Sequence, residues 1–517
     1  MVVLRNVLAA AVGFASFVLG QNFNNPVLWE DLADNEVIRV DDAYYYTAST
    51  MHYSPGAPIL RSYDLVNWEY LSHAVPSLDW GSKYSLTGGQ QAYIKGIYAS
   101  TFKYRKSNGM WYWIGCIEYS TTYVFVAPSP TGPWTQKAKI ATCYYDAGLL
   151  IDDNDTMYVA YGNTQLSVAQ LSSDGLSEVR KQVVFSTPSN VGTLEGSRMY
   201  KRNGKYYIFV TKPASSQYVL QASSPWGPYT LKALALSVSP PVSGGGNPHQ
   251  GSLIDTPDGK WYYMAFIDAY PGGRIPVLAP VTWGSDGFPA VTLSNNAWGA
   301  SYPYPSTQRS VQSPLGTDSF SGSSLGPAWE WNHNPDTSKF SVNNGLTLST
   351  ATVTSDLYAA RNTLTKRIHG PVGTGTVVID FTNMADGDRA GLSLLRQDSA
   401  YIAVARSGSS YSIVMYNGLK MVSSTWATSS TGTQAASMSV SQRRVWLRAT
   451  ADIKPGSGKK GSFSYSLDGN NFVSFGSQLT LNNDWPFYMG YRYGIFNFAT
   501  KSLGGSVKVV SFTSAAS

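Results

Sequence analysis

Acidic residues stand at matching places in a pattern that repeats along residues 21–300. Asp34 and Asp146 come just before a short apolar strand-like run, Glu195 opens another, and His249 holds the same place in a later one. Matching places in a closed ring of repeats lie together at its centre, so we expect these side chains to meet at one cavity. Carboxylates in a neutral, aromatic-lined cavity suit cleavage of a glycosidic bond, in which one carboxyl protonates the leaving oxygen and another activates water.

Other chemistries find little support in the sequence. It has no HExxH or CxxC metal signature and no P-loop, and its histidines are scattered. The formal net charge of +6 is spread without a run of Lys and Arg, which does not indicate nucleic acid and is compatible with a neutral polysaccharide. We therefore expect no cofactor to be required for the chemistry.

The repeat itself predicts the fold that positions the carboxylates. Each unit holds four strand-like runs, and a turn such as Asn203-Gly204 separates the first two. A four-stranded repeat of about 50 residues is typical of a propeller blade. The five units span Asp34–Leu71, Ala99–Ile140, Asp146–Phe185, Gly192–Thr230 and His249–Val291. The sequence thus predicts an all-β protein whose residues 21–300 form a five-bladed β-propeller catalytic domain.

The remainder of the chain has strands but no repeat. Residues 301–317 are proline-containing and lack alternation, which indicates a linker. Residues 318–517 hold about ten alternating runs without a 50-residue period, and this pattern favours a β-sandwich. Such a domain can be a packing and accessory module or can bind sugars, and the sequence leaves both open.

The first twenty residues have the character of a signal peptide. Arg5 precedes an apolar stretch, and the small residue Gly20 is placed for cleavage, so the mature protein is expected to begin at Gln21. No later run has the roughly 18 apolar residues that a membrane helix needs. We expect a secreted, extracellular monomer with no membrane partner.

Two features of the predicted propeller remain open at this point. Cys116 and Cys143 either pair in an oxidising compartment or stay as two buried thiols. Asn154 begins an Asn-Asp-Thr acceptor for glycosylation on a predicted hairpin tip, where an unmodified turn is the alternative.

Several stretches resemble the blade openings of glycoside hydrolase family 43, whose fold is a five-bladed propeller. The C-terminal part resembles the concanavalin-like sandwich appended to many of its xylosidases and arabinofuranosidases. Within the family the sequence is most similar to secreted arabinofuranosidases that remove arabinose from doubly substituted xylose in arabinoxylan. The family resemblance is carried by NNPVLWEDLADNEVIRV, YYDAGLLIDDNDTMYVAYG, TLEGSRMYKRNGKYYIFV and NPHQGSLIDTPDGKWYYMAF, and the narrower one by STMHYSPGAPILRSYDLVNWEYLSHAVP, KGIYASTFKYR and DAYPGGRIPVLAPVTW.

The resemblance implies a role for each matching residue. Asp34 corresponds to the general base, Glu195 to the general acid, and Asp146 to the residue that orients the acid and tunes its pKa. Arg274 matches an arginine near the substrate pocket. His249 matches an axial histidine that in relatives helps to hold a central calcium or sodium ion through water. The resemblance therefore implies a structural calcium or sodium ion in the central channel. The family mechanism inverts configuration, with the two carboxyls about 6.5 to 9.5 Å apart.

Two aromatic residues are candidates for the substrate surface. Tyr53 and Tyr98 lie in the first two units, and flat rings of this kind stack on sugars, although ordinary blade packing is the alternative. Tyr98 stands where the family often has Trp, which implies a somewhat different pocket shape.

Two other functions are compatible with the pattern. An exo-β-1,4-xylosidase acting on xylo-oligosaccharides differs from an arabinofuranosidase by a few pocket residues, and the sequence does not separate them. A non-catalytic carbohydrate-binding propeller would be expected to lack at least one of Asp34, Asp146 and Glu195, and all three are present.

Overall fold

Alternating runs and turn dipeptides fold into five antiparallel sheets of four strands each. The computed structural model describes residues 21–517, so the predicted signal peptide lies outside the described residues. The blades comprise, in order, Glu36–Val40, Ala43–Thr47, Gly56–Ser62 and Glu69–Val75; Thr101–Arg105, Met110–Ile117, Thr121–Ala127 and Thr135–Ile140; Gly148–Ile151, Met157–Tyr161, Gln165–Leu171 and Glu178–Ser186; Glu195–Arg202, Lys205–Lys212, Ser216–Ala222 and Thr230–Leu236; and His249–Asp255, Trp261–Asp268, Arg274–Trp283 and Pro289–Val291.

The predicted hairpin turn of the fourth blade shows why local sequence determines these sheets. Asn203 and Gly204 both have positive φ, 49° and 72°. This is the twist that a two-residue turn needs between right-handed strands, and Arg202 pairs directly with Lys205 across it.

The blades close into a ring through their first strands. The first strand of each blade contacts the first strand of the next, and that of the fifth blade returns to that of the first. The N-terminal strand Asn22–Asn24 pairs with Ser301–Pro303 after the last blade, and the side chain of Asn25 bonds to the backbone of Leu278. The prediction of a five-bladed propeller is confirmed.

The C-terminal domain is a sandwich of two large antiparallel sheets, as predicted. The first contains Phe340–Val342, Leu346–Ser349, Ser506–Ala516, Val372–Asp380, Arg444–Asp452, Lys460–Ser466 and Val473–Ser474, with Gly316–Asp318 and Leu479–Thr480 paired to it at the side. The second contains Thr428–Ser439, Ser410–Met421, Asp398–Ser407, Asp388–Leu395, Arg492–Ala499, Leu364–Arg367, Glu330–Asn332 and Tyr53–Ser54.

The helices of the described residues are single turns of 3₁₀ type. They lie at Ser82–Ser85, Thr337–Lys339, Leu357–Ala359 and Trp485–Phe487. Within residues 21–517, no helix is long and apolar enough to cross a membrane.

The two domains share one sheet and a buried ionic cluster. The propeller strand Tyr53–Ser54 pairs with Glu330–Asn332 and so completes the second sandwich sheet. Glu330 bonds to Arg367, Arg492 and the propeller residue His73. Burial opposes ionisation of Glu330, but the charges of the two arginines hold the pKa of its carboxyl well below the usual value.

The cysteine alternatives are decided in favour of pairing. Cys116 at the end of a second-blade strand is bonded to Cys143, whose segment leads to Asp146. The disulfide therefore joins the second blade to the opening of the third.

Candidate active site

The three carboxylates predicted from the repeat lie around one cavity at the propeller centre. Asp34 and Asp146 precede the first strands of blades one and three by two residues, and Glu195 is the first residue of blade four. The first two have φ of 55° and 51°, left-handed values uncommon for residues other than glycine that often mark functional positions. The cavity has a volume of about 120 Å³, and Arg274 and Tyr98 also line it.

Asp34 is held in place by two hydrogen-bond donors. Arg274 Nη1 donates to Asp34 Oδ1 at 2.9 Å, and Ser49 Oγ donates to Oδ2 at 2.6 Å. Asp34 is only 6% exposed, so these bonds replace the water that a free carboxylate would bind. A carboxylate held in this way can act as a general base toward a water molecule in the cavity.

The surroundings of Glu195 favour the protonated form of its carboxyl. Burial and the charge of Asp34 raise the pKa of Glu195, although Tyr145 opposes the shift by donating from its hydroxyl to Glu195 Oε2 at 3.1 Å. A carboxyl that retains its proton toward neutral pH can donate it to a leaving oxygen.

Asp146 is hydrogen-bonded to the backbone next to Glu195. Its Oδ2 accepts the N–H of Gly196, the residue after Glu195, at 3.0 Å. Burial, followed by the charges of Glu195 and Asp34, raises the pKa of Asp146 well above its usual value. Asp146 and Glu195 therefore resist ionising together, as two close buried carboxyls do.

A buried arginine joins the backbone at the openings of three blades. Arg198 is fully buried on the same strand as Glu195. Its guanidinium donates to the carbonyl oxygens of Asp34 at 2.7 Å, Asn35 at 3.2 Å, Ala147 at 2.8 Å and Ser197 at 2.9 Å. The positive charge of Arg198 favours ionisation of Asp146 and partly offsets the raised pKa of that carboxyl.

One wall of the cavity is a stack of three tyrosines. The ring of Tyr119 lies 5.2 Å from that of Tyr98 and 6.0 Å from that of Tyr145, with both pairs nearly parallel. Tyr119 is 62% exposed, so the stack runs from the carboxylates to solvent. Tyr98, predicted at the substrate surface, is thus placed in this wall.

A further part of the cavity lining comes from the sandwich, and sequence reasoning missed it. Tyr488 lines the cavity, and its carbonyl oxygen accepts from Arg274 Nε at 3.0 Å. Trp485 lies 5.8 Å from the Tyr488 ring and is 62% exposed. Arg396 holds this loop by donating to the carbonyl of Met489 at 2.7 Å. No local signal identifies Tyr488, because its role depends on how the two domains pack.

Two predicted site residues lie elsewhere. Tyr53 is 1% exposed in the contact between the domains, under the guanidinium of Arg492 and beside His52, so its placement corrects the prediction that it faces the substrate. His249 is buried, has its Nδ1 2.8 Å from the carbonyl oxygen of Asn247, and packs on Phe266; it is not among the residues that line the cavity.

The calcium or sodium ion expected with His249, held through water, stays a prediction. Within residues 21–517, no three His, Cys, Asp or Glu side chains are gathered as metal ligands. The carbonyl oxygens of Asp34, Asn35 and Ala147 already accept hydrogen bonds from the cationic Arg198. The guanidinium of Arg198 thus bonds to carbonyl oxygens of the kind that bind these metal ions.

Comparison with known proteins agrees with this geometry. Residues 23–289 match Glycosyl hydrolases family 43, and residues 317–513 match the Beta xylosidase C-terminal Concanavalin A-like domain. A beta-xylosidase of Formosa agariphila is 27% identical over 95% of this chain and 89% of its own length. A non-reducing end alpha-L-arabinofuranosidase of Bacteroides ovatus is 28% identical over 62% of this chain and 63% of its own.

A solved structure extends the agreement to the whole described fold. It is a family 43 glycoside hydrolase engineered at its active site to display both endo-xylanase and exo-arabinofuranosidase activity. It is 48% identical to this chain, covers 96% of it and 100% of its own length, and superimposes with a TM-score of 0.93. With three carboxylates at the centre of a five-bladed propeller and a family match over more than half its length, the chain belongs to glycoside hydrolase family 43.

Proposed function

We propose that this protein removes α-L-arabinofuranosyl branches from arabinoxylan, preferring xylose units that carry two arabinoses. The observation that carries the proposal is the form of the cavity: it is about 120 Å³, is lined by the three carboxylates and by exposed Tyr119, and has the exposed ring of Trp485 packed beside its lining residue Tyr488. This volume is well below the roughly 300–1,000 Å³ of sites for larger ligands, so it suits one sugar. The exposed rings offer flat surfaces on which a chain and a second branch can rest.

The proposed reaction is a single displacement with inversion. Asp34, held by its contacts with Arg274 and Ser49, takes a proton from water, and the water oxygen attacks the anomeric carbon. Glu195 gives its proton to the xylose oxygen as the glycosidic bond breaks, and Asp146 holds the backbone beside it. Family 43 chemistry needs no cofactor, and every proton in this scheme is moved by the two carboxyls.

A β-xylosidase is the second candidate, because several relatives carry that name, including the protein of Formosa agariphila. A terminal xylose of a xylo-oligosaccharide is also a single sugar, so it also suits a cavity of this volume. The two functions differ in whether the rest of the substrate leaves the rim as one chain end or as a branched chain.

The deciding experiment is proton NMR of arabinoxylan before and after digestion with purified protein. Loss of the signals of doubly substituted xylose, with those of singly substituted units retained, supports the proposal. Release of xylose from unsubstituted xylobiose at a comparable rate would favour the xylosidase. The Glu195→Gln variant, prepared in parallel, controls for contaminating activity because it lacks the proposed acid.

We further propose that the protein is secreted as a monomer. The disulfide between Cys116 and Cys143 supports an oxidising destination, and one chain supplies the cavity lining from both domains. Expression with residues 1–20 in a secreting host, N-terminal sequencing and light scattering should give a protein that begins at Gln21 and has the mass of one chain. Retention in cells, or a dimer mass, would contradict these proposals.

A further inference from the structure

A buried carboxylate outside the cavity joins the two domains next to the proposed base. Asp31 is 7% exposed and lies three residues before Asp34. Its Oδ1 accepts the backbone N–H of Arg274 at 2.7 Å, and its Oδ2 accepts that of Gly490, in the sandwich, at 3.0 Å. Asp31 does not line the cavity, so it is not expected to touch substrate.

Both backbone partners of Asp31 lead directly to groups that do line the cavity. The guanidinium of Arg274 bonds to Asp34 and also to the carbonyl of Tyr488. Gly490 is two residues beyond Tyr488 in the same loop. The contacts thus form a closed circuit in which one carboxylate fixes both the arginine that holds the base and the loop that forms the wall.

The backbone around Asp31 is shaped for this close contact. Gly273 has φ of 98°, and a Cβ at that position would lie 2.4 Å from Asp31 Oδ1. A Cβ at Gly490 would lie 2.2 Å from the carbonyl oxygen of Gly272. Only glycine allows the carboxylate and the two backbone segments to approach one another this closely.

A third contact holds Asp31 itself in place. The sandwich residue Arg367 donates from Nε to the Asp31 carbonyl oxygen at 2.8 Å. The backbone of Asp31 is therefore held in place, and each of its two carboxylate oxygens accepts one backbone hydrogen bond. Charge-assisted bonds from backbone N–H groups to a buried carboxylate are among the stronger hydrogen bonds in proteins.

We propose that Asp31 is a positioning residue for the reaction: it locks the 488–490 loop of the sandwich against Arg274 and thereby sets the guanidinium that orients Asp34. The kinetic consequence rests on the proposed function, whereas the lock itself does not. Removing the lock should disturb the base and one wall of the cavity while leaving Glu195 and its contact with Tyr145 in place.

The neighbouring residue provides a matched control. Glu30 is 2% exposed, and it also ties the propeller to the sandwich, through His369 at 3.3 Å and with Tyr70 at 2.5 Å. None of these contacts involves Arg274, Asp34 or Tyr488. Asp31→Asn and Glu30→Gln are therefore isosteric changes of adjacent buried carboxylates, and only the first breaks the circuit.

Kinetics should separate the two variants. Both are expected to lower the melting temperature, but only Asp31→Asn should lower kcat, by about tenfold or more, since misplacing a reacting group by about 1 Å can cost up to about a hundredfold. The loss should be equal for aryl glycosides with good and poor leaving groups, because the base and not the acid is disturbed. In an Arg274→Met background the same change should cost less than about threefold, since residues that act through one another are not additive.

Hydrogen exchange tests the lock without relying on turnover. Asp31→Asn should speed exchange in peptides covering 271–276 and 482–491 together, and Glu30→Gln should not. If Asp31→Asn fails to fold, Gly490→Ala should reproduce its effects by pushing the loop away from Gly272. Equal kcat in both variants, a full additional loss in the Arg274→Met background, or unchanged exchange in the two peptides would each overturn the proposal. If the wild type cleaves neither arabinosides nor xylosides, the proposed function fails and exchange alone decides whether Asp31 is the lock.

Discussion

The hydroxyl of Tyr145 should set the upper pH limit of activity. It donates to Glu195 Oε2 at 3.1 Å, and this bond stabilises the ionised form of the acid. Tyr145→Phe removes the hydroxyl and retains the ring that stacks on Tyr119. Burial already raises the pKa of Glu195, and losing the donor should raise that pKa further.

The bond length determines the size of the expected shift. A hydrogen bond to a charged group contributes about 1.5–3 kcal/mol net, and strong O–H to carboxylate bonds are about 2.5–2.7 Å long. At 3.1 Å the Tyr145 bond belongs at or just below the lower end of that range. Since one pKa unit corresponds to about 1.4 kcal/mol, we expect the pKa of Glu195 to rise by about one unit.

The assay is the pH dependence of kcat/KM on an aryl arabinoside with a poor leaving group. The alkaline limb reports the free enzyme's acid and should move up by about one pH unit, while the acidic limb stays in place. Tyr98→Phe is the matched control, because Tyr98 lines the same cavity but donates to the carbonyl of Ile94 at 2.8 Å. An alkaline limb that stays, moves down, or moves equally in the control would refute the reasoning.

Three further outcomes are expected. Glu195→Gln should lower kcat by about a hundredfold or more on poor leaving groups and by less on good ones, which steady-state kinetics on a series of aryl glycosides will show. Asp146→Asn should melt at a higher temperature than the wild type at about pH 8 and at a similar temperature at about pH 4. A carboxyl whose pKa is raised in the folded state stabilises the fold at low pH, and this contribution is lost as the pH rises through the pKa of the folded state. The amide of Asn does not titrate, so the variant avoids that loss. Trp485→Ala should raise KM for arabinoxylan and leave that for a small aryl arabinoside nearly unchanged, since its exposed ring packs beside Tyr488 but does not itself line the cavity; equal effects on both substrates would place it in the sugar pocket instead.

The blades could be predicted because each is specified locally. A turn such as Asn203-Gly204 and the alternating runs beside it determine one hairpin, and the repeat then determines the ring. The repeat also predicted that Asp34, Asp146 and Glu195 would surround one cavity, because residues at equivalent positions of the blades lie together near the propeller axis.

Position within the blade repeat did not predict the surroundings of residues whose partners come from other blades or from the other domain. His249 is in phase with the carboxylates, yet it packs on Phe266 and does not line the cavity. Tyr53 has the right type for a sugar surface, but its two-residue strand pairs with the sandwich and is buried. Arg198 looks like any polar strand residue in the sequence, and only the ring brings four carbonyl oxygens to its guanidinium.

The boundary between the propeller and the sandwich is therefore not a boundary of the active site. Tyr488 supplies a wall through its position and an acceptor for Arg274 through its carbonyl oxygen. Arg274 in turn holds Asp34, so the orientation of the proposed base depends on a loop more than 450 residues away in sequence. A propeller alone would keep all three carboxylates but would lose this acceptor and leave the cavity open on one side. The sandwich thus contributes directly to the surroundings of the carboxylates, although it provides none of them.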